Sequence, residues 1–297
     1  MNRENHQDIR LGTIVRAPDG APYIRQILPH GFESFQIMFW ERIGDISLER
    51  LAGEVLEACD GRATISSLGM FGNPLTSEEA ARDFGRCIEA AHLFGCSIVA
   101  GFTGALDGQS VPASIPRFKE VWGDLAKRAE DAGVRVAWEN CDMGGTWKHT
   151  HMNLAHAPDG WELLFDALPS DALGLEWEPC HHMNSLIDPL PQLREWIQSG
   201  KIFHLHGKDA TIDWNVVRTK GIRGNTPYIW HRTPGFGDTN WTDVISILRQ
   251  NNWRGAIDIE GWHDPVYQGD LEMTGQVYGL NYLKKCRGGE FVANPMV

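Results

Sequence analysis

Short apolar runs alternate with amphipathic patterns along the whole chain of 297 residues. The apolar runs have the length of buried strands, and the amphipathic runs repeat at the spacing of a helix. We predict eight strands, at residues 9–15, 33–40, 63–70, 96–102, 134–140, 173–179, 201–209 and 256–262. Strands that alternate with helices form parallel sheets, and eight such units predict closure into a single α/β (β/α)8 TIM barrel.

Capping residues mark the predicted helices at residues 47–61 and 77–95. Each begins at a serine and ends at a glycine, the residues preferred at the two helix caps. Further helices are predicted at residues 22–30, 114–133, 160–168, 189–200, 240–252 and 272–286. No linker, low-complexity segment or repeat of identical residues interrupts this alternation of strands and helices. The sequence therefore predicts one TIM-barrel domain over residues 1–297.

One connection, Ala210–Thr239 after strand seven, is much longer than the others. Loops of this length in compact folds are usually functional lids or binding loops. Its side chains Trp214, Tyr228 and Trp230 suit stacking on a sugar face, although they would equally well pack the loop down. The sequence therefore predicts a barrel with a long loop after strand seven.

Composition and charge narrow the function classes. The formal net charge of −12, from 27 basic and 39 acidic residues, disfavours nucleic-acid binding, which draws its affinity from neutralised phosphates. The N-terminal stretch MNRENHQDIR is polar, and no run of about 18 apolar residues occurs, so we expect a cytoplasmic protein without membrane contact. Six cysteines without a C-x-x-C pair predict reduced thiols.

Ionisable side chains concentrate at the ends of the last four predicted strands. In TIM barrels the carboxyl ends of the strands carry the functional groups. The candidates are Glu139, Glu178, His181, His204, His206, Lys208, Asp209, Glu260, His263 and Asp264. Carboxylates and imidazoles that converge would repel or desolvate one another unless a cation lay among them. This mixed donor set favours Mn2+, with Co2+, Mg2+ and Zn2+ as alternatives.

Each candidate taken alone also has an ordinary structural explanation. An acid at a strand end is often a helix cap, and a single histidine is more often packed or hydrogen-bonded than a ligand. Strand alternation places His204 and His206 on the same side, so periodicity does not choose between them. We expect Glu176 and His182 to be structural. We expect no role in the chemistry for Cys180, because no base is assigned to it.

Five motifs resemble the xylose isomerase-like TIM-barrel superfamily, the sugar phosphate isomerase/epimerase group. They are WEN (138–140), GLEWEPCHH (174–182), FHLHGKD (203–209), RTPGFGDTNW (232–241) and IDIEGWHDP (257–265). The resemblance implies four metal ligands, which are Glu139, Glu178, His206 and Glu260. It thereby selects His206 over His204. The family's usual Asp-Pro-Ser-His is Glu178-Pro179-Cys180-His181 here, so the longer Glu178 must retract or bind differently.

The resemblance also implies substrate contacts at His181 and Arg232, and we expect Lys208 and His263 to bind substrate beside them. The implied activity is isomerisation or epimerisation of a keto-sugar through an enediolate. Glu139 and Glu260 would face opposite sides of the sugar and act as base and acid. Because no glycine-rich phosphate cradle is present, we expect a sugar without phosphate. We also expect a homo-oligomer.

Three other functions are weighed against this one. A lyase would share the proton abstraction and then expel the β-substituent of a 3-keto-glycoside, in some relatives with a small partner subunit. A DNA-repair nuclease would need histidines near the ends of strands three and four, where this chain has none. A sugar-binding protein without catalysis is disfavoured because both glutamates of the expected acid–base pair, Glu139 and Glu260, are present.

Overall fold

Eight parallel strands form a closed barrel in the computed structural model, which describes residues 6–295. Residues 1–5 and 296–297 of the predicted domain lie outside the described residues, as does the first half of the polar N-terminal stretch. The described chain has ten strands, of which β8 and β9 lie outside the barrel: β1 Ile9–Arg16, β2 Ser34–Trp40, β3 Thr64–Phe71, β4 Ile98–Gly101, β5 Arg135–Glu139, β6 Leu173–Trp177, β7 Ile202–Gly207, β8 Asp209–Ile212, β9 Ile229–Arg232 and β10 Gly255–Ile259. The order around the barrel is β1-β10-β7-β6-β5-β4-β3-β2, which confirms the predicted fold.

The described chain has ten α-helices, of which nine lie between strands and the last follows β10. They are α1 Gly20–Ile27, α2 Leu48–Cys59, α3 Glu78–Ala90, α4 Val111–Ala132, α5 Pro158–Ala167, α6 Pro179–Asn184, α7 Pro189–Gln198, α8 Trp214–Lys220, α9 Trp241–Gln250 and α10 Glu272–Cys286. Ser47 and Ser77 cap α2 and α3 as predicted, accepting hydrogen bonds from the backbone nitrogens of Arg50 and Ala80. Helix α4 begins before its predicted start, because Ser110 rather than Ser114 caps it.

The long connection contains regular structure that the sequence pattern did not predict. β8 and β9 pair as an antiparallel hairpin, and α8 lies between them. The buried Asp209 holds the hairpin's base: its carboxylate accepts hydrogen bonds from the backbone nitrogens of Ala210 and Thr239 and from Nε1 of Trp241. Strand β7 consequently ends at Gly207, two residues before the end of predicted strand seven.

The contacts divide the chain into two compact units. The N-terminal unit comprises residues 14–177 and 200–205, and it contains β2–β6 and α1–α5. Its core includes a cluster of edge-to-face aromatic rings in which Trp122 contacts Phe84 at 4.9 Å and Trp138 at 5.1 Å between ring centroids. Such aromatic pairs add to the free energy of burial that holds the sheet and its helices together.

The C-terminal unit comprises the described residues up to Thr13, residues 178–199 and the described residues from His206 onward. It contains α6–α10, the hairpin and β10. Phe236 is stacked between Tyr267 and Tyr278, with centroid distances of 4.2 and 4.1 Å. This stack fixes the turn that follows β9. No helix among residues 6–295 is both long and apolar enough to cross a membrane.

Candidate metal centre

Three predicted ligands of the C-terminal unit converge on one point. Glu178 directly follows β6, His206 lies in β7, and Glu260 directly follows β10. All three are buried, and each offers a ligand atom within 4.8 Å of those of the other two. The Nδ1 atom of His206 lies 3.8 Å from Glu178 Oε2 and 3.7 Å from Glu260 Oε2. These distances exceed a hydrogen bond, so the three groups are spaced as donors around a common centre.

This donor set fits a divalent cation. Two buried carboxylates and one imidazole supply the oxygen and nitrogen ligands that such ions take. Glu178 is one methylene longer than the aspartate usual in the family, and its Oε2 nevertheless lies 3.8 Å from His206 Nδ1. The residues that would hold an ion in this unit are therefore Glu178, His206 and Glu260.

Nitrogen-bearing side chains surround the two carboxylates. Lys208 Nζ lies 3.0 Å from Glu260 Oε2 and 3.9 Å from Glu178 Oε1. His181 Nε2 lies 2.7 Å from Glu178 Oε1 and 3.5 Å from Lys208 Nζ, and the exposed His263 reaches Glu260 Oε1 at 2.7 Å. The predicted substrate-binding residues His181, Lys208 and His263 thus lie against the predicted ligands.

Charge and burial shift the pKa values of these two carboxyl groups in opposite directions. Burial alone would raise the pKa of Glu178, but the Lys208 ammonium and His181 lower that pKa to about 2. Burial would likewise raise the pKa of Glu260, whereas Lys208 and the hydrogen bond with His263 hold that pKa well below its ordinary value. Both side chains are therefore carboxylates at neutral pH, the form that binds a metal ion.

The fourth predicted ligand, Glu139, belongs to the N-terminal unit. It is the buried last residue of β5 and pairs in register with Glu176 of β6. Its backbone carbonyl accepts a hydrogen bond of 2.8 Å from Asn153 Nδ2, which fixes the end of the strand. The role of Glu139 as ligand and catalytic group stays a prediction.

Glu176 and His204 form a buried polar pair in the N-terminal unit. His204 Nδ1 lies 2.8 Å from Glu176 Oε1, and Gln36 Nε2 donates to the same oxygen at 2.5 Å. Gln36 also donates to Ser67 Oγ at 3.0 Å. Buried charged groups are stable only when paired in this way. The arrangement supports the structural role that the sequence predicted for Glu176, and it makes His204 a hydrogen-bonded, buried histidine.

Replacing His204 with Asn should act mainly on stability. The shorter side chain would leave the Glu176 carboxylate with poorer hydrogen bonding, which should cost about 1–3 kcal/mol of unfolding free energy. We expect kcat on any accepted substrate to change less than about tenfold. Denaturant unfolding and steady-state kinetics of the same preparation separate the two effects. A large loss of kcat with unchanged unfolding free energy would instead place His204 in the chemistry.

Arg232 is fixed by Asp264 at the end of the hairpin. Its Nε donates to Asp264 Oδ2 at 3.1 Å, and the backbone nitrogen of Thr233 donates to the same oxygen at 2.9 Å. Burial would raise the pKa of Asp264, but these backbone and side-chain hydrogen bonds outweigh burial and lower that pKa. The guanidinium also lies over the Phe236 ring at 5.7 Å. The contact of Arg232 with substrate remains a prediction. The hydrogen bond to Asp264 fixes the orientation of its side chain.

The aromatic residues of the long connection divide into two kinds. Tyr228 packs the segment down, because its hydroxyl donates to the backbone oxygen of Asn184 at 2.5 Å. Trp214 and Trp230 keep 47% and 38% of their surface exposed, so neither is committed to the core. Stacking on a bound molecule therefore remains open to the two tryptophans and is disfavoured for Tyr228.

His231, for which the sequence predicted no role, lies in the same region of the C-terminal unit. It lies in β9, with its ring 5.1 Å from that of His181 and 6.0 Å from that of His263. Burial, together with the charges of Lys208 and His181, lowers its pKa to about 3, so the imidazole is neutral. The pairing of β8 with β9 places this residue, and no spacing along the chain predicts that pairing.

Comparison with known proteins identifies relatives of the chain. The sequence model of the xylose isomerase-like TIM barrel family matches residues 24–286. An inosose dehydratase of Clostridium tetani is 27% identical over 158 residues, which are 52% of this chain and 51% of that protein. An inosose isomerase of Halalkalibacterium halodurans is 28% identical over 145 residues, 49% of this chain and 45% of that protein. The chain thus matches about half the length of these curated relatives.

Solved structures share the fold over nearly the whole chain. The 3-keto-D-glucoside 4-epimerase YcjR of Escherichia coli, in its apo form, superimposes with a TM-score of 0.68 at 15% identity, covering 94% of this chain and 100% of that one. The IOLI protein, solved with a zinc atom, gives a TM-score of 0.63 at 16% identity and covers 93% and 96% of the two chains. At these identities the similarity demonstrates the fold.

Proposed function

Because the chain belongs to the xylose isomerase-like TIM barrel family, we propose that it is a divalent-metal-dependent isomerase or epimerase of a keto-sugar without phosphate. The observation that carries the proposal is the buried convergence of Glu178, His206 and Glu260. The relatives named isomerase and epimerase support the same class of chemistry.

Glu139 is proposed as the fourth ligand. It ends β5 beside Glu176, two residues before Glu178 along the chain. Its carboxylate would complete a set of three carboxylates and one imidazole, a donor set that suits Mn2+. Co2+, Mg2+ and Zn2+ are the alternatives, and the zinc atom of the IOLI protein supports a divalent ion in general.

A bound divalent ion would polarise the substrate carbonyl and make the neighbouring C–H more acidic. The protein's own residues then perform the proton transfer. Glu260, on one side of the sugar, and Glu139, on the other, would remove the proton and return it through an enediolate. Lys208, His181 and His263 lie around Glu178 and Glu260 and would hold substrate oxygens, while Arg232 would act from the hairpin end.

A lyase is the second candidate, and two observations favour it. One relative is named a dehydratase, and dehydration is the elimination of water. The exposed Trp214 and Trp230 would also suit the bulky leaving group of a 3-keto-glycoside. The two candidates share their first step and differ in whether the carbanion is reprotonated or expels a β-substituent.

The test is turnover in D2O with a panel of ketoses and 3-keto-glycosides, followed by mass spectrometry. Chelator-treated protein should be inactive, and added Mn2+ should restore incorporation of solvent deuterium into substrate or product. An isomer retains every heavy atom, whereas a lyase product has lost water or an aglycone. Equal turnover with chelator and with Mn2+ would refute the metal-dependent proposal.

Arg232→Ala should raise KM and lower kcat while leaving Mn2+ affinity nearly unchanged. The guanidinium is aimed by Asp264 and is not among the proposed ligands. Loss of one oriented donor should lower kcat/KM by about 10- to 100-fold. Steady-state kinetics and calorimetric Mn2+ titration give the two quantities. Arg254→Ala, at an exposed arginine directly before β10, is the matched control and should leave both unchanged. Wild-type kinetics in Arg232→Ala would remove this residue from substrate binding.

A further inference from the structure

The long connection after β7 has an inner and an outer face. Ile212 and Ile229 pack one face of the β8–β9 hairpin against the buried cluster that contains Cys180 of α6. Trp230 follows Ile229, so strand alternation places it on the opposite face, where 38% of its surface stays exposed. Helix α8, between the two strands, has no buried residue, and its Trp214 is exposed as well. The outer face is therefore apolar and open.

Three cationic side chains lie among these apolar ones. Residues 214–230 contain Arg218, Lys220 and Arg223, all exposed, and no acidic residue. This local positive charge stands in a chain with a formal net charge of −12. Tryptophan and arginine are enriched where proteins contact one another. The exposed residues of this face, here called the basic surface, are Trp214, Arg218, Lys220, Ile222, Arg223 and Trp230.

A second surface of the C-terminal unit has the opposite charge. The connection between β10 and α10 includes residues 265–272, PVYQGDLE, which contain Asp270 and Glu272 and no basic residue. Val266 and Leu271 keep 54% and 48% of their surface exposed. These four side chains are here called the acidic surface. One compact unit thus presents two apolar surfaces that are complementary in charge.

We propose that the basic surface of one molecule docks on the acidic surface of a second copy of this chain, and that the contact is reciprocal in a two-fold symmetric dimer. A two-fold dimer needs both complementary surfaces on the same subunit, and the C-terminal unit carries both. Opposite charges select which apolar surfaces meet. The sequence predicts a homo-oligomer, and the proposal assigns its contact without depending on the proposed function.

The charge of the whole chain favours a second copy over other anionic partners. A lipid surface or a nucleic acid would attract the three cations and repel a molecule of net charge −12. A second copy supplies local acids together with the apolar Val266 and Leu271, which would cover exposed tryptophan surface. This use of Trp214 and Trp230 is an alternative to the leaving-group contact considered for the lyase.

Sedimentation velocity of the full-length chain tests the dimer. At about 10 µM and low salt the wild type should sediment as a dimer. Lys220→Glu/Arg223→Glu should raise the dissociation constant at least about tenfold, because like charges then meet at both contacts. Gln268→Lys/Asp270→Lys should do the same from the other surface. All four replaced side chains are exposed, so both variants should fold.

An equimolar mixture of the two variants is the sharpest measurement. In a mixed dimer, one contact joins the two altered surfaces and the other joins two unaltered ones, so both contacts are complementary. The mixture should therefore recover affinity to within about threefold of the wild type, although neither variant dimerises well alone. Lys119→Glu/Lys127→Glu, at two exposed lysines of α4, is the control with the same change in net charge as Lys220→Glu/Arg223→Glu, and it should dimerise like the wild type.

Several outcomes would overturn the proposal. They are a wild type that stays monomeric at about 100 µM, an unchanged dissociation constant in either surface variant, and a mixture that does not recover. Binding of the wild type to phosphatidylglycerol vesicles, abolished in Lys220→Glu/Arg223→Glu, would assign the basic surface to a lipid instead. None of these measurements needs turnover, so failure of the proposed function leaves them unaffected.

Discussion

Replacing Glu260 with Gln should lower kcat by about a thousandfold, because general acid–base catalysis contributes roughly 10²–10⁴. The amide keeps the size of the side chain and removes both its charge and its capacity to carry a proton. Glu260 has the contacts of a reacting group: it borders the predicted ligand His206, and its two oxygens face Lys208 and His263. We therefore expect a loss that saturating Mn2+ does not restore.

Two measurements identify the cause of that loss. Deuterium incorporation from D2O at saturating Mn2+ reports proton transfer directly, and calorimetric titration reports the accompanying fall in Mn2+ affinity. Glu195→Gln, on the exposed side of α7, is the matched control and should retain wild-type kcat and affinity. If saturating Mn2+ restores full turnover to Glu260→Gln, this residue is a ligand and not a proton carrier.

The barrel was predictable because its signals are local. Each buried strand is a short apolar run, and the capped amphipathic helices between strands are marked by residues such as Ser47 and Ser77. The strand ends follow from the same pattern, so Glu178 and Glu260 could be named before the structure. Short elements gave weaker signals. Helix α6 has six residues, and only Pro179, directly after the acid Glu178, marks its start.

Contacts between residues far apart in the sequence explain the features of the site that the sequence did not predict. His204 and His206 lie on the same side of β7, so the sequence pattern does not distinguish them. The structure does, because His204 contacts Glu176 and His206 does not take that position. That contact depends on a register shift between β6 and β7 at Leu175/Glu176, which no single-strand pattern predicts. His231 was missed for the same reason, since the antiparallel pairing of β8 with β9 places it.

Lys208→Met should bind Mn2+ at least about tenfold more tightly than the wild type. The wild-type ammonium lies 3.0 Å from Glu260 and 3.9 Å from Glu178, where it neutralises two proposed ligands. A dication about 4 Å from an ammonium would meet a repulsion of about 8 kcal/mol at an effective dielectric constant of ~20, and movement of the side chain would relieve most of it. Removing the charge abolishes both the competition and the repulsion.

The same substitution should destabilise the metal-free protein. Without Lys208, the buried carboxylates of Glu178 and Glu260 repel one another and lose the ammonium that they share. Breaking a buried ion pair costs about 3–5 kcal/mol. The Mn2+-induced rise in Tm should therefore be larger in Lys208→Met than in the wild type. Turnover should fall all the same, because Lys208 is predicted to hold a substrate oxygen.

Lys208→Arg is the matched control, since it keeps the charge at nearly the same length. Its Mn2+ affinity should stay within about threefold of the wild type, although its planar guanidinium is a poor replacement for a point charge in substrate binding. Calorimetric titration of chelator-treated protein measures affinity, and thermal unfolding with and without Mn2+ measures the stabilisation. Weaker Mn2+ binding by Lys208→Met than by Lys208→Arg would show that the ammonium helps to assemble the metal centre. In that case Lys208 would not compete with the ion for Glu178 and Glu260.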